Sequence, residues 1–253
     1  MKQLLVLAVL AAAIGGCAKN DNPASTGSTG TMQVAMIDAP NSAYDSIVVT
    51  VTSVQVHSTE SSDGWITLSN EAHSYNLLSL VNGTEAMIGQ TQLSAGHYTQ
   101  IRLVVGDTTW AYIGGVRLSV KVPSTEIKLN VDATIEANVT YKMVLDFDAM
   151  RSLVSAGTGL IMKPVIRVAT TAQTGFITGM VNVQSAVFAY GASDTLSTVT
   201  DSTGAFTVMY VPQGTYDVEI VPADDSYYNT TINGVVVTAG DTKNIGDITL
   251  QKK

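Results

Sequence analysis

Charged residues make up only 13% of the 253-residue chain, which also holds one cysteine, three histidines and six prolines. Each shortage excludes something. A single cysteine permits no intrachain disulfide and no thiolate metal cluster, so packing alone must stabilise the fold. The histidines, His57, His73 and His97, show no helical metal spacing such as His-Glu-x-x-His, and a metal site needs several convergent ligands. We read each as a surface residue, and no cofactor is expected. The Gly-x-Ser-x-Gly elbow of hydrolases is absent, and so is a glycine-rich phosphate loop ending in Lys-Ser or Lys-Thr. Thirteen basic residues face 21 acidic ones, giving a formal charge of −8, so the composition offers no basic field for nucleic acid.

What the chain has in quantity is hydrophobic residues, 45% of the total, and abundant Thr, Val, Ser and Gly. β-branched residues mixed with turn formers favour strands, and the expected class is all-β. The length suits two ordinary domains, each able to bury its own core.

The first 17 residues, MKQLLVLAVLAAAIGGC, carry one basic residue, Lys2, before an unbroken apolar run from Leu4 to Ile14. That run is too short to span a bilayer and has the proportions of a secretory signal peptide, residues 1–16. Ile14-Gly15-Gly16-Cys17 resembles the bacterial lipobox, which implies cleavage before Cys17 and acylation of that residue. Several acyl chains on one residue hold a protein at a membrane. Ala18 follows the cysteine, and by resemblance to lipoprotein sorting signals the absence of Asp there implies the outer membrane. Residues 17–31 continue as a polar, low-complexity stretch that reads as a flexible tether.

A first domain is expected over residues 32–170. In DSIVVTVTSVQVH the alternation slips phase: Ile47, Val49 and Val51 share one face, Val54 and Val56 the other. One extra residue near Thr52-Ser53, a β-bulge, restores a single buried face; two separate strands is the competing account. TTWAYIGGVRLSVKVP reads as a hairpin turning on Gly114-Gly115, because glycine tolerates the positive φ of such a turn. Its register puts Ala111, Ile113, Val116 and Leu118 on an apolar face and forces Trp110, Tyr112 and Arg117 onto the other. Aromatic rings beside a guanidinium on a wet face mark a ligand-binding candidate, unless a loop or strand covers them. TYKMVLDFDAMRSLV places Tyr141, Met143, Leu145 and Phe147 opposite Val144, Asp146 and Asp148. The two carboxylates are weak candidates for a hard cation; Asp148 also stands where it can cap a short helix, and Asp146 can meet a nearby cation. Asp38, before Ala39-Pro40, reads as an Asx-type turn. LIMKPVIRVAT is apolar nearly throughout and reads as a central or doubly covered strand, with Pro164 at a bulge or unpaired position.

These pieces in this order resemble a bacterial lipoprotein domain catalogued as domain of unknown function 4382. The resemblance rests on IDAP (37–40), VTVTSVQVH (49–57), GW (64–65), YNLLSLVNG (75–83), LSAGHYTQIRLVV (93–105), VPS with IKL (122–129), LDFDA (145–149) and KPVIRV (163–168). It implies fold and location and supplies no chemistry.

Residues 174–253 show short strands between close turn signals, GFITGMVNV, SAVFAYG, STVTDSTGAFTVMYVPQGTYDVEIV and NGVVVTAGDTKNIGDITL, the pattern of a small sandwich. The series resembles the carboxypeptidase regulatory-like, transthyretin-like module, which implies an accessory domain and admits sugar binding. Two stretches, LSAGHYTQIRL and VPQGTYDVEI, repeat an apolar residue, two spacers, Gly, a spacer and Tyr, while their flanks differ. We read both as corners: Gly96 and Gly214 turn the chain, and the hydroxyls of Tyr98 and Tyr216 reach back to the backbone.

The resulting expectation is a non-enzymatic lipoprotein of the bacterial envelope, two antiparallel β-sandwich-like domains behind a tether, serving in binding or structure. Its partners are the membrane, through lipid on Cys17, and a glycan or an envelope protein. A carbohydrate-binding accessory protein using Trp110 and Tyr112 is the alternative, and a hydrolase with a triad gathered from distant loops is the third.

Overall fold

The computed structural model describes residues 28–40, 43–58, 64–107, 109–157 and 159–253. The leader, Cys17 and most of the expected tether lie outside the described residues. Thirteen strands come first: β1 (Thr29–Asp38), β2 (Ser46–Ser58), β3 (Trp65–Ser69), β4 (His73–Asn76), β5 (Ala86–Ser94), β6 (Gly96–Val105), β7 (Thr109–Ile113), β8 (Val116–Lys121), β9 (Glu126–Ile135), β10 (Thr140–Phe147), β11 (Leu153–Ala156), β12 (Gly159–Met162) and β13 (Ile166–Thr170), with one short helix, α1 (Ala149–Ser152). Seven follow: β14 (Thr174–Val181), β15 (Ser185–Tyr190), β16 (Thr195–Val199), β17 (Ala205–Pro212), β18 (Gly214–Pro222), β19 (Thr230–Val237) and β20 (Thr242–Ile248). The class is all-β, and most pairings are antiparallel.

The first thirteen strands form two facing sheets. A four-stranded sheet runs β13-β10-β1-β5, and a nine-stranded one runs β11-β12-β8-β7-β2-β6-β9 with β3 and β4 also on β2. β1 takes in the last three residues of the expected tether, because Thr31 donates to Val139 O at 2.9 Å and Ala95 donates to Ser28 O at 2.7 Å. Backbone pairing outweighs the polar composition of that stretch.

β2 is one strand. Val51 pairs with Val105 and Ser53 with Val104, so Thr52 is the extra residue, and Ile47, Val49, Val51, Val54 and Val56 all enter one core. The Gly114-Gly115 hairpin pairs Ile113 with Val116 and Tyr112 with Arg117, with φ of 55° and 77° at the two glycines. Its apolar face is buried only at the base. Ala111 is sealed, whereas Ile113 and Val116, flanking the turn, are 43% and 61% exposed.

The run around Pro164 is not one central strand. Pro164 lies between β12 and β13, which belong to different sheets; lacking an N–H, it sits where the chain crosses over and no ladder bond is required. β13 is a sheet edge, yet both its faces are covered: Ile166 and Val168 pack on the first core and Ala169 faces the other way.

The last seven strands make a sandwich of a three-stranded sheet, β17-β14-β20, and a four-stranded one, β16-β15-β18-β19, around Ile177, Val187, Phe206, Val208, Val218 and Ile220. Asp201 organises the turn into β17: its carboxylate accepts from Thr203 N at 2.8 Å and Ala205 N at 3.1 Å, and Gly204 closes the turn at φ 89°.

A third apolar cluster joins the two groups of strands. Ala35, Ile37, Val144 and Ala169, on the outer face of the four-stranded sheet, meet Met209 and Tyr210 of β17. Tyr210 sits in a bulge opposite Phe176 with φ 50°, a strained value for an aromatic residue. Its hydroxyl donates to Glu85, which also pairs with Lys142. Asn82 completes the seam by treating the edge of β17 as a strand partner, accepting from Thr207 N at 2.6 Å and donating to Ala205 O at 3.2 Å.

Candidate functional site

The chain's two tryptophans both lie outside its hydrophobic clusters. Large apolar rings are usually drawn into a core, so their placement needs a cause. β2 supplies it. Its valines point inward, and Val48 and His57, on the opposite face, pair with Trp110 and Trp65 respectively. Both rings are thus fixed on the outer face of the nine-stranded sheet by register alone.

Each indole carries a guanidinium. The Arg117 guanidinium carbon stands 3.2 Å from the Trp110 ring centroid, and that of Arg102 stands 4.3 Å from the Trp65 centroid. The two pairs differ in rigidity. Arg102 donates to Gln55 through Nε at 2.7 Å and also through Nη2, and to Glu126 through Nη1 at 3.3 Å. Lys128 joins Glu126 at 3.3 Å and comes within 5.9 Å of the Trp65 centroid, while the His57 and Trp65 rings meet edge to face with centroids 5.2 Å apart. Hydrogen bonding from Lys128, with the charge of Arg102, holds the Glu126 carboxyl below its usual range. Arg117 is exposed and lies on Trp110 across the hairpin; Tyr112, its directly paired neighbour, is half-buried.

The structure therefore brings Trp110 and Arg117 together with Tyr112 alongside, and adds a second aromatic–cation pair that sequence reasoning missed. Trp65 is 37 residues from Arg102; only the adjacency of β3, β2 and β6 joins them. The one legible signal was its place beside Gly64 at the start of an alternating stretch.

The acidic candidates are occupied. Asp146 accepts from Arg167 at 2.7 Å and 3.1 Å. Asp148 caps α1, accepting from Arg151 N at 2.9 Å. Among the described residues no three His, Cys, Asp or Glu side chains converge as metal ligands. A cleft of about 390 Å³ lies along the seam, lined by Asn82, Asp146, Arg167, Asp194 and Thr207. Asp38, expected in an Asx-type turn, bonds instead to a distant backbone group: it is buried at the end of β1, where Oδ1 accepts from Ala149 N at 2.9 Å and Oδ2 has no hydrogen-bond partner. Burial pushes its carboxyl up to about 8, with the charges of Asp146 and Asp148 adding to the shift and bonds from the Ala149 and Ala39 backbone opposing it.

The corner tyrosines are both buried. Tyr98 donates to Ser94 O at 3.0 Å and Tyr216 to Pro212 O at 2.9 Å, each four residues back across the turn at Gly96 or Gly214. His97 meets Asp132 at 2.7 Å and His73 meets Glu71 at 3.4 Å, both at the surface, whereas His57 is half-buried beneath Trp65 with Nδ1 enclosed.

No curated protein matches the chain. Among solved structures, it is similar to a type II cohesin–X-dockerin complex from Acetivibrio cellulolyticus, at 26% identity over 31% of this chain and 58% of that one, with a TM-score of 0.26. It is also similar to the minor pilin GBS52 of Streptococcus agalactiae, at 14% identity over 88% and 96% of the two chains, with a TM-score of 0.25. The shaft pilin SpaA of Lactobacillus rhamnosus GG matches at 10% identity over 89% and 99%, with a TM-score of 0.24. A family model, Domain of unknown function (DUF4382), matches residues 29–164, which span both facing sheets as far as the crossover at Pro164. Since that match takes in more than half of the 253 residues, the chain belongs to the DUF4382 family.

Proposed function

We propose that this protein is a non-enzymatic binding component of the bacterial cell envelope, held at the outer membrane by lipid on Cys17. It offers the outer face of its nine-stranded sheet to a partner. The observation that carries this reading is the placement of both tryptophans on that face, each stacked with an arginine and neither contributing to a core. A partly exposed indole held against a guanidinium is costly to leave in water and well suited to contact. In this reading residues 32–170 are the binding domain and residues 174–253 a carboxypeptidase regulatory-like accessory module docked along the Asn82–Tyr210 seam.

Two measurements test it. Metabolic palmitate labels the native chain and fails to label Cys17→Ser; equal labelling, or none in either, overturns the anchor. The detergent-solubilised full chain, applied to immobilised envelope glycans and proteins, is retained, and the Trp65→Ala/Trp110→Ala variant is not, with melting unchanged. Equal retention overturns the face.

A further inference from the structure

The outer face of the nine-stranded sheet carries charge of its own, set by which residues the strands turn outward. Along the strands of the outer face the described ionisable groups other than histidine are Arg102, Arg117, Lys121, Lys128, Glu126 and Asp132. Arg102 pairs in register with Lys128, and Arg117 and Lys121 lie on one side of β8 by alternation. On the described strands four cations stand against two carboxylates, with Asp45 at the hairpin and Glu71 beside His73 at the margins, so the strands themselves carry a positive excess on a chain whose formal charge is −8. Composition averages away what the sheet separates. Screening at physiological ionic strength acts over about 8 Å, so a ligand on this face responds to these local groups more than to the distant excess of acid.

The geometry of the rings narrows the ligand further. A membrane-contacting aromatic projects its ring into the headgroup layer, whereas here both indoles lie against guanidinium groups, with centroid distances of 4.3 and 3.2 Å. The flat face of an indole suits stacking against the C–H face of a sugar ring. Gln55, Gln100 and Asn130 surround the Trp65 pair with amides, and Gln100 already donates to Asn130 at 3.3 Å, so donors and acceptors for hydroxyl groups stand beside the stacking surface. Lys128 and the exposed Arg117 supply the charge.

We infer that the outer face binds an acidic polysaccharide, its pyranose rings stacking on Trp65 and Trp110 and its carboxylates meeting Lys128 and Arg117. Trp65 is the fixed subsite: hydrogen bonds to Gln55 and Glu126 lock the Arg102 guanidinium over one face of the indole, and the sugar stacks on the face that Arg102 does not cover. Trp110 is the adjustable one: Arg117 exchanges its contact with the indole for an ion pair with the ligand. The inference rests on the reading of this face as the binding face.

The test uses the detergent-solubilised full chain on immobilised polygalacturonate, with dextran as the uncharged polymer and phosphatidylglycerol vesicles as the anionic membrane. The native chain is retained on polygalacturonate at low salt and released as salt rises. Retention on dextran is at least about tenfold weaker, the factor expected from losing one good charged contact. Trp65→Ala and Lys128→Gln each lower polygalacturonate affinity by about tenfold with unchanged melting. Equal binding to dextran removes the charge argument. Lipid on Cys17 carries native and variant chains alike to the vesicles, so vesicle binding that falls in Trp65→Ala/Trp110→Ala while polysaccharide binding does not assigns the face to the membrane and overturns the inference. If polygalacturonate is not retained while envelope material is still held in a Trp65- and Trp110-dependent way, the ligand class falls and the binding face stands; if the tryptophan variants retain everything equally, both fall.

Discussion

Arg167 of β13 donates through Nη1 to the carbonyl of Tyr210 in β17 at 3.1 Å while its other nitrogens hold Asp146. One side chain thus satisfies a carboxylate of the first sandwich and a backbone group of the second, at the residue whose positive φ marks a bulge. The strained conformation of Tyr210 is held by contacts from the other group of strands, Arg167 on its carbonyl and Glu85 on its hydroxyl.

Arg167→Met should lower unfolding free energy by about 2–3 kcal/mol, because it leaves a mostly buried carboxylate and a carbonyl without their donor. Asp146→Asn in the same chain should restore part of that loss. Denaturant titration of both single variants and the double variant checks this; additive losses would mean the pair does not act as a unit.

Tyr98→Phe and Tyr216→Phe remove the same hydroxyl-to-carbonyl bond from two corners. Each should cost about 1 kcal/mol, and the two should add, since the corners belong to separate cores. Thermal unfolding of the pair of single variants and the double variant measures it. A loss at only one corner would show that the two are not the same device.

How much of this was legible in the sequence depended on range. Thr52 betrayed its bulge because a period-two pattern slips locally, and Gly114-Gly115 fixed its register because a two-residue turn leaves no freedom. Both signals lie within a few residues of what they determine. The parallel pairing of β1 with β10 joins residues about a hundred positions apart, and no local pattern announces it. Trp65 and Arg102 meet across β2 for the same reason, and so the more rigid half of the candidate site escaped notice while the hairpin half did not. Asp38 shows the opposite failure: IDAP has the composition of a turn, yet the backbone N–H at the start of α1, more than a hundred residues away, draws the carboxyl inside.

Gly83 and Gly204 both have φ 89°, but a Cβ at Gly83 meets nothing within 4 Å whereas one at Gly204 falls 2.0 Å from Val181 O. Alanine at either position suffers the left-handed backbone, costing about 1 kcal/mol. Only Gly204→Ala must also push apart the pairing that Val181 N makes with Gly204 O at 2.8 Å. Gly204→Ala should therefore lose at least about 2 kcal/mol more than Gly83→Ala. Denaturant midpoints of the two variants decide it, and equal losses would mean that the β14–β17 end yields without strain.

Asp38 makes stability depend on pH in a direction opposite to that of a salt-bridged carboxylate. Its carboxyl rises from 3.8 to about 8 on folding, so between those values the folded chain holds a proton that the unfolded chain has released. Its contribution to stability is fully present below pH 3.8 and declines as pH rises towards 8, by up to about 1.4 kcal/mol per pH unit, levelling off above that point. Asp38→Asn keeps an acceptor for Ala149 N and cannot ionise. The variant should gain on the native chain steadily from pH 5 to pH 8 and by no more beyond it. Unfolding midpoints of both proteins at pH 5, 7 and 9 measure the gap; a gap independent of pH would show that the buried carboxyl titrates as though it were in water.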